Sequence, residues 1–379
     1  MEDYREIFNR DIERLNYLYA KANTKSKKKN MAYDLIFFES MYNGLAGEDK
    51  TVFPWTNDPI LMDVCREVTF DLIRNILREQ QYLIQVFESS FDKFLESEFS
   101  VHSDYGKQYH KMSDELLQKY IVDFYKIIDR TLILRFMNKF DNSEIFVNNT
   151  MENFYGLFFP MEAISKNIIF ITSNDSMSIW EGRKLVHEMG HDFEIENAKK
   201  NGVTNIWSGM VRTLFPEVSS CFFEYAYINY LIENNIYKED AMMLKRMYLN
   251  QLLIYLTDAL VIFSHSHMKV DLEFNTRLNN QNNVDYGNEL LDSINSFDRR
   301  YEIDEAIDFR KTFVYSMGKL LAIYIYDSYK NNDKEFLVNF KKVLLEYKDN
   351  GMDAFSHLGI TYDSLIEGRV LKRAINECK

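Results

Sequence analysis

"LVHEMGHDFE", residues 185–194, places His187 and His191 four positions apart, with Glu188 directly after the first. Helical residues four apart project from one face a turn apart, so the two imidazoles can meet a single metal ion. Glu188 is rotated by about 100° from His187 on such a helix, which sets its carboxylate beside the ion and within reach of a water bound there. Zinc lowers the pKa of its water to about 7, and a neighbouring carboxylate can complete the deprotonation and pass the proton on. The triplet therefore fits one Zn²⁺ per chain, held by His187 and His191, with Glu188 as the general base of a hydrolysis.

The flanking sequence builds outward from that helix. Ser178 followed by Glu181 is a capping-box spacing and predicts a helix from Ser178 to about Lys200, ending before Gly202. "NIIFITSN", residues 167–174, is apolar and β-branched between polar turn residues and predicts a strand. An HExxH match arises by chance in roughly 1% of chains of this kind, so the reading needs a third protein ligand and one open coordination position. Among the 58 acidic residues one setting stands out, "LFPEVSSCFFEYAY", residues 214–227. Glu217 falls in the first turn of a helix predicted after Pro216 and through Ile232, a hairpin's distance from the histidines. Glu224 lies two turns along the same face, placed to accept the far N–H of a ligand imidazole. Cys221, between them, reads as a packed thiol. His265 and His267, two apart on a helical stretch, face away from each other and do not share an ion easily.

The whole chain has 379 residues, 46% hydrophobic and 27% charged, with only 13 glycines and 4 prolines. That balance predicts a folded, mostly helical protein. A net charge of −13 argues against general binding to nucleic acid or an anionic membrane. The 3 cysteines lie far apart, and the N-terminus lacks the apolar core of a signal peptide, so a reducing, cytoplasmic setting is expected. Helical spacing is predicted over Asp3–Lys21, 31–47, 58–99, 114–140, 239–275, 300–330 and 334–348, while "NSEIFVNNTMENFYGLFFPME", residues 142–162, reads as irregular.

"NIIFITSNDSMSIWEGRKLVHEMGH", followed 26 residues after His191 by "EVSSCFFE", resembles the M3 metallopeptidases, the oligoendopeptidase F branch more than the thimet oligopeptidase branch. The family pattern is an apolar strand, a short acidic loop, HExGH, and a downstream Glu in an E-V-small-S-x-x-x-E segment. The resemblance implies that His187, His191 and Glu217 bind zinc, that Glu188 is the base and that Gly190 is the HExGH glycine. It implies that Phe170, Ile171, Thr172 and Ser173 belong to an edge strand pairing with substrate backbone. "VIFSHSHMKVDLEF", residues 261–274, and "TFVYSMGKLLA", residues 312–322, are similar to two further family helices. The second would make Tyr315 a hydrogen-bond donor to the oxyanion. The family histidine that precedes this tyrosine has no counterpart in "RRYEIDEAIDFRKT", where Tyr301 occupies part of the space.

The fold implied is mostly α, with two helical lobes flanking a deep substrate cleft and a small β-sheet beside the zinc-binding helix. A reduced helical N-terminal lobe is expected over 1–150 and a catalytic lobe over 151–379, or one continuous domain. The activity implied is hydrolysis of internal bonds of unstructured oligopeptides. Two other readings stand beside it. One is an aminopeptidase-type HExxH-plus-Glu enzyme, for which no GxMEN-type segment is seen; the other is a degenerate relative that binds peptide or protein around a structural zinc. Oligomeric state stays open.

Overall fold

The computed structural model describes residues 4–24, 27–28, 31, 109–142, 144–148, 156–161, 166–173, 177–203, 217–266, 309–331 and 333–378. The elements are α1 (Tyr4–Lys21), α2 (Asp114–Ile128), α3 (Thr131–Asp141), β1 (Ile145–Asn148), β2 (Gly156–Met161), β3 (Lys166–Thr172), α4 (Ile179–Lys200) and α5 (Val218–Glu233). They continue with α6 (Lys238–Ser266), α7 (Phe309–Asn331), α8 (Asp333–Asn350), a 3₁₀ stretch (Gly351–Leu358), α9 (Tyr362–Glu367) and α10 (Arg369–Asn376). The architecture is mostly α with one small sheet. The helices expected over 31–47 and 58–99, together with Tyr301 and His267, lie outside the described residues.

Two local expectations are corrected. The stretch 114–140 forms two helices, because Asp129 turns extended at φ −153°, ψ 110°. Its Oδ1 then accepts from Thr131 N at 2.9 Å and Thr131 Oγ1 at 2.7 Å, capping the second helix. The stretch 142–162 holds two strands, whose pattern was hidden by asparagines and by Pro160.

The sheet order is β1-β3-β2, with β1 parallel to β3 and β2 antiparallel to it. The strand read from the sequence, β3, is thus central, paired on both sides. Pro160 has no N–H to give to a ladder and sits on β2, an edge strand, where its lack is tolerated.

Helix α4 starts as its sequence dictates. Ser178 Oγ accepts from Trp180 N at 3.1 Å and in turn donates to the Glu181 carboxylate. Beyond Lys200, Gly202 takes φ +76°, a left-handed turn that ends the helix. Helix α5 is buried from Val218 through Leu231 and packs against α4, α6 and α7, as befits a helix apolar on every side. One hydrophobic core runs from Tyr109 to Ile375, so residues on both sides of position 150 share the sheet and the core. Among the described residues no helix is long and apolar enough to cross a membrane.

Candidate metal centre

The site forms where the middle of α4 crosses the start of α5. Gly190 permits that crossing: a Cβ there would come within 2.6 Å of Ser220 Cα, and Ser219 Oγ donates to the Gly190 carbonyl at 2.9 Å. The close approach brings the N-terminus of α5 level with His187 and His191. Glu217 is the residue just before α5, at φ −99°, ψ 3°, rather than within its first turn, and its side chain makes no capping bond to the helix. The carboxylate turns towards α4 instead, fixed by Ser220 Oγ, which donates to Oε2 at 2.8 Å.

His187 Nε2 stands 3.3 Å and His191 Nε2 3.4 Å from this same Oε2. Donors bound at about 2.0–2.1 Å around a tetrahedral zinc are about 3.4 Å from one another. The separations are long for N–H···O bonds and right for three ligands of one ion. The donor set therefore fits zinc. Behind it, His187 Nδ1 lies 2.9 Å from Glu224 Oε2, an outer acceptor that ties the ring through Nδ1 and turns Nε2 towards Glu217. His191 Nδ1 is buried with no hydrogen-bond partner among the described residues.

Electrostatics point the same way. Three carboxylates, buried Glu188 and Glu224 and half-buried Glu217, surround the imidazoles, while the buried cations Arg183 and Lys319 pair with Glu224. Burial alone would push the His187 imidazole down, but the adjoining carboxylates of Glu217 and Glu224 overcome it and lift the pKa to about 10. Burial likewise opposes the charge on Glu217, yet the two histidines hold its carboxyl well below the usual carboxylate range. The carboxylates that favour protons on the two imidazoles would favour a divalent cation in their place.

Glu188 is buried beside the pair, and burial raises its carboxyl against the opposing pull of His187 and His191. It packs on the first residue of β2, where a Cβ on Gly156 would meet Glu188 Oε1 at 2.5 Å. Two residues on, the Phe158 ring lies 5.7 Å from the His191 ring. Tyr315 on α7 is half-buried and stacks on Tyr255 with ring centroids 5.8 Å apart. The charge on Glu217, then burial and the charge on Glu188, push its phenol well above the ordinary tyrosine range, so the hydroxyl stays a donor.

The four strand residues fare differently. Phe170, Ile171 and Thr172 lie within central β3, with Ser173 just after it, and Phe170, Ile171 and Ser173 are buried. With both edges of β3 occupied, it has no ladder to offer a peptide. The edge beside Glu188 and His191 belongs to β2. Cys221 brings its Sγ within 4.8 Å of donor atoms of His187 and Glu217. That grouping omits His191, whereas the distances place His191 Nε2 on the same Glu217 oxygen as His187. The His187–His191–Glu217 set has the better geometry, and burial pushes the Cys221 thiol up, towards its neutral form. His110 and His357 pair elsewhere, with Asp240 and Glu346, each at 2.8 Å.

No protein-family model and no curated protein matches the sequence. Solved structures do. An inferred peptidase from Chlamydophila abortus superposes with a TM-score of 0.54 at 12% identity over 82% of this chain, which spans 55% of that protein's length. An inferred oligoendopeptidase F from Bacillus anthracis gives 0.48 at 14% identity, covering 97% of this chain and 68% of the other. PZ peptidase A, solved with an inhibitor, gives 0.45 at 12% identity, covering 97% and 70%. What the chain shares with the first of these is its fold, a helical one with peptidase representatives.

Proposed function

We propose that the chain is a zinc-dependent peptidase that hydrolyses internal bonds of unstructured oligopeptides. The observation that carries this reading is the convergence of His187 Nε2 and His191 Nε2 on one oxygen of Glu217, with Glu188 buried alongside. Bound zinc supplies Lewis acidity and a water acidified towards a pKa of about 7. Glu188 accepts the proton that the attacking water loses and returns it to the leaving amine. Gly156 leaves room for the Glu188 carboxylate, since a Cβ there would meet Oε1 at 2.5 Å. Tyr315 donates its hydroxyl to the scissile oxygen as negative charge develops there. The edge of β2 that no described strand pairs takes the peptide backbone, a mode that reads chain extension more than side-chain identity and favours unfolded substrates.

The test is Glu188→Gln. The variant is expected to hold zinc as the parent does and to lose turnover of an internally quenched fluorescent peptide. Full activity in that variant overturns the base role. Parent activity untouched by a chelator overturns the metal reading.

A further inference from the structure

Glu224 is gripped on one oxygen from two different helices. Arg183, one turn before His187 on α4, donates from Nη1 to Glu224 Oε1 at 2.7 Å, and Lys319 Nζ of α7 lies 3.7 Å from the same atom. The other oxygen is left for His187 Nδ1. All three charged residues are shut from water, Glu224 3%, Arg183 7% and Lys319 4% exposed. Each cation also lies over an aromatic face, Arg183 4.3 Å from the Trp180 ring centre and Lys319 3.9 Å from that of Tyr248.

A carboxylate with a single partner can turn about its broad terminal torsion and take the imidazole bonded to it out of line. Two cations on Oε1, one from α4 and one from α7, oppose that rotation. They fix the carboxylate plane and leave Oε2 for His187 Nδ1. The ring is thereby tied through Nδ1, and Nε2 faces the side where Glu217 and His191 converge.

We propose that Arg183 and Lys319 are positioning residues, a two-cation clamp that acts through Glu224 to hold the His187 ring in its metal-binding orientation. The inference rests on the metal reading above and deepens it.

Zinc affinity of the full chain, measured by competition with a chromophoric chelator, tests it. Lys319→Met and Arg183→Met are each expected to weaken zinc binding by about 10–100-fold, the usual cost of losing an outer partner of a ligand, and Lys319→Arg to recover most of the loss. Because the clamp uses both carboxylate oxygens, Glu224→Gln, which puts an amide N–H against either the cations or His187 Nδ1, should weaken zinc to a similar extent. Adding Lys319→Met to Glu224→Gln should then cost little more. A merely structural lysine would cost the same in both backgrounds, and that result overturns the proposal. Wild-type zinc affinity in Glu224→Gln overturns it too, whether or not the single cation variants fold. Absence of zinc binding by the parent chain instead sinks the metal reading itself.

Discussion

Helix α4 carries two buried polar clusters whose first carboxylates, Glu188 and Asp192, are one turn apart, and they are finished in opposite ways. Asp192 is wholly inaccessible and wholly served: Arg135 Nε donates to one oxygen, while Asn167 Nδ2 at 2.7 Å and Lys139 Nζ at 3.2 Å reach the other. Arg135 also pairs with Glu196 and Lys139 with Glu144, so the charges there close on one another. Around Glu188 the same kinds of groups stay incomplete. Two imidazoles and a carboxylate stand at 3.3 and 3.4 Å without making good hydrogen bonds, and the cations present are spent on Glu224. Burial alone does not mark a functional site; a buried cluster that its own protein groups cannot complete does.

The contrast breaks most directly with isosteric changes. Asp192→Asn leaves Arg135 and Lys139 facing a neutral amide, and breaking a buried ion pair from one side costs about 3–5 kcal/mol. Glu217→Gln keeps the shape and an acceptor for the Ser220 hydroxyl and leaves His187 paired with Glu224, so in zinc-free protein it should cost less, about 1–3 kcal/mol. Urea unfolding of the two variants, each against the parent in chelator, measures both; equal losses would mean the two clusters are structural alike. Next in size is Tyr315→Phe. The ring that stacks on Tyr255 is kept, so stability and zinc content should hold, while kcat falls by about 10²–10³ as an oxyanion donor is lost.

How much of this was legible depended on whether a rule was local. The bounds of α4 follow from Ser178, Glu181 and Gly202, and the relative directions of His187, Glu188 and His191 follow from spacing on that helix, whereas Glu217, just before α5, was suggested by its setting and not by helical spacing. Strands β1 and β2 escaped notice because an edge strand with a proline and a half-polar composition lacks a clean alternation. The centrality of β3 is a pairing fact, and a single strand's sequence does not say how many neighbours it has. Helix α10 buries Leu371, Ala374 and Ile375 at the spacing of an amphipathic helix, so it was readable in principle. Arg183 stands one turn before His187 and could have been suspected. Lys319, which reaches Glu224 from α7, could not, since its role exists only once the helices are packed.

The smallest expected effect bears on whether the α4–α5 site is open at all. Cys221 sits one turn after Glu217 on α5, with its sulfur near the donor atoms of His187 and Glu217. Were the thiolate a fourth protein ligand, the centre would be closed as firmly as the Asp192 cluster, and four-coordinate zinc without a water position is the structural kind. The geometry argues for a packed thiol: burial favours the neutral form, and His191 already supplies the third donor. Cys221→Ala should therefore keep one zinc per chain at parental affinity, costing only about 1 kcal/mol of stability for the methyl-sized void. Cobalt(II) in place of zinc gives the sharper measurement, because thiolate coordination adds an intense near-ultraviolet charge-transfer band. Parent and Cys221→Ala should give the same spectrum without that band; a band in the parent that vanishes in the variant would place sulfur on the metal and leave the water no position.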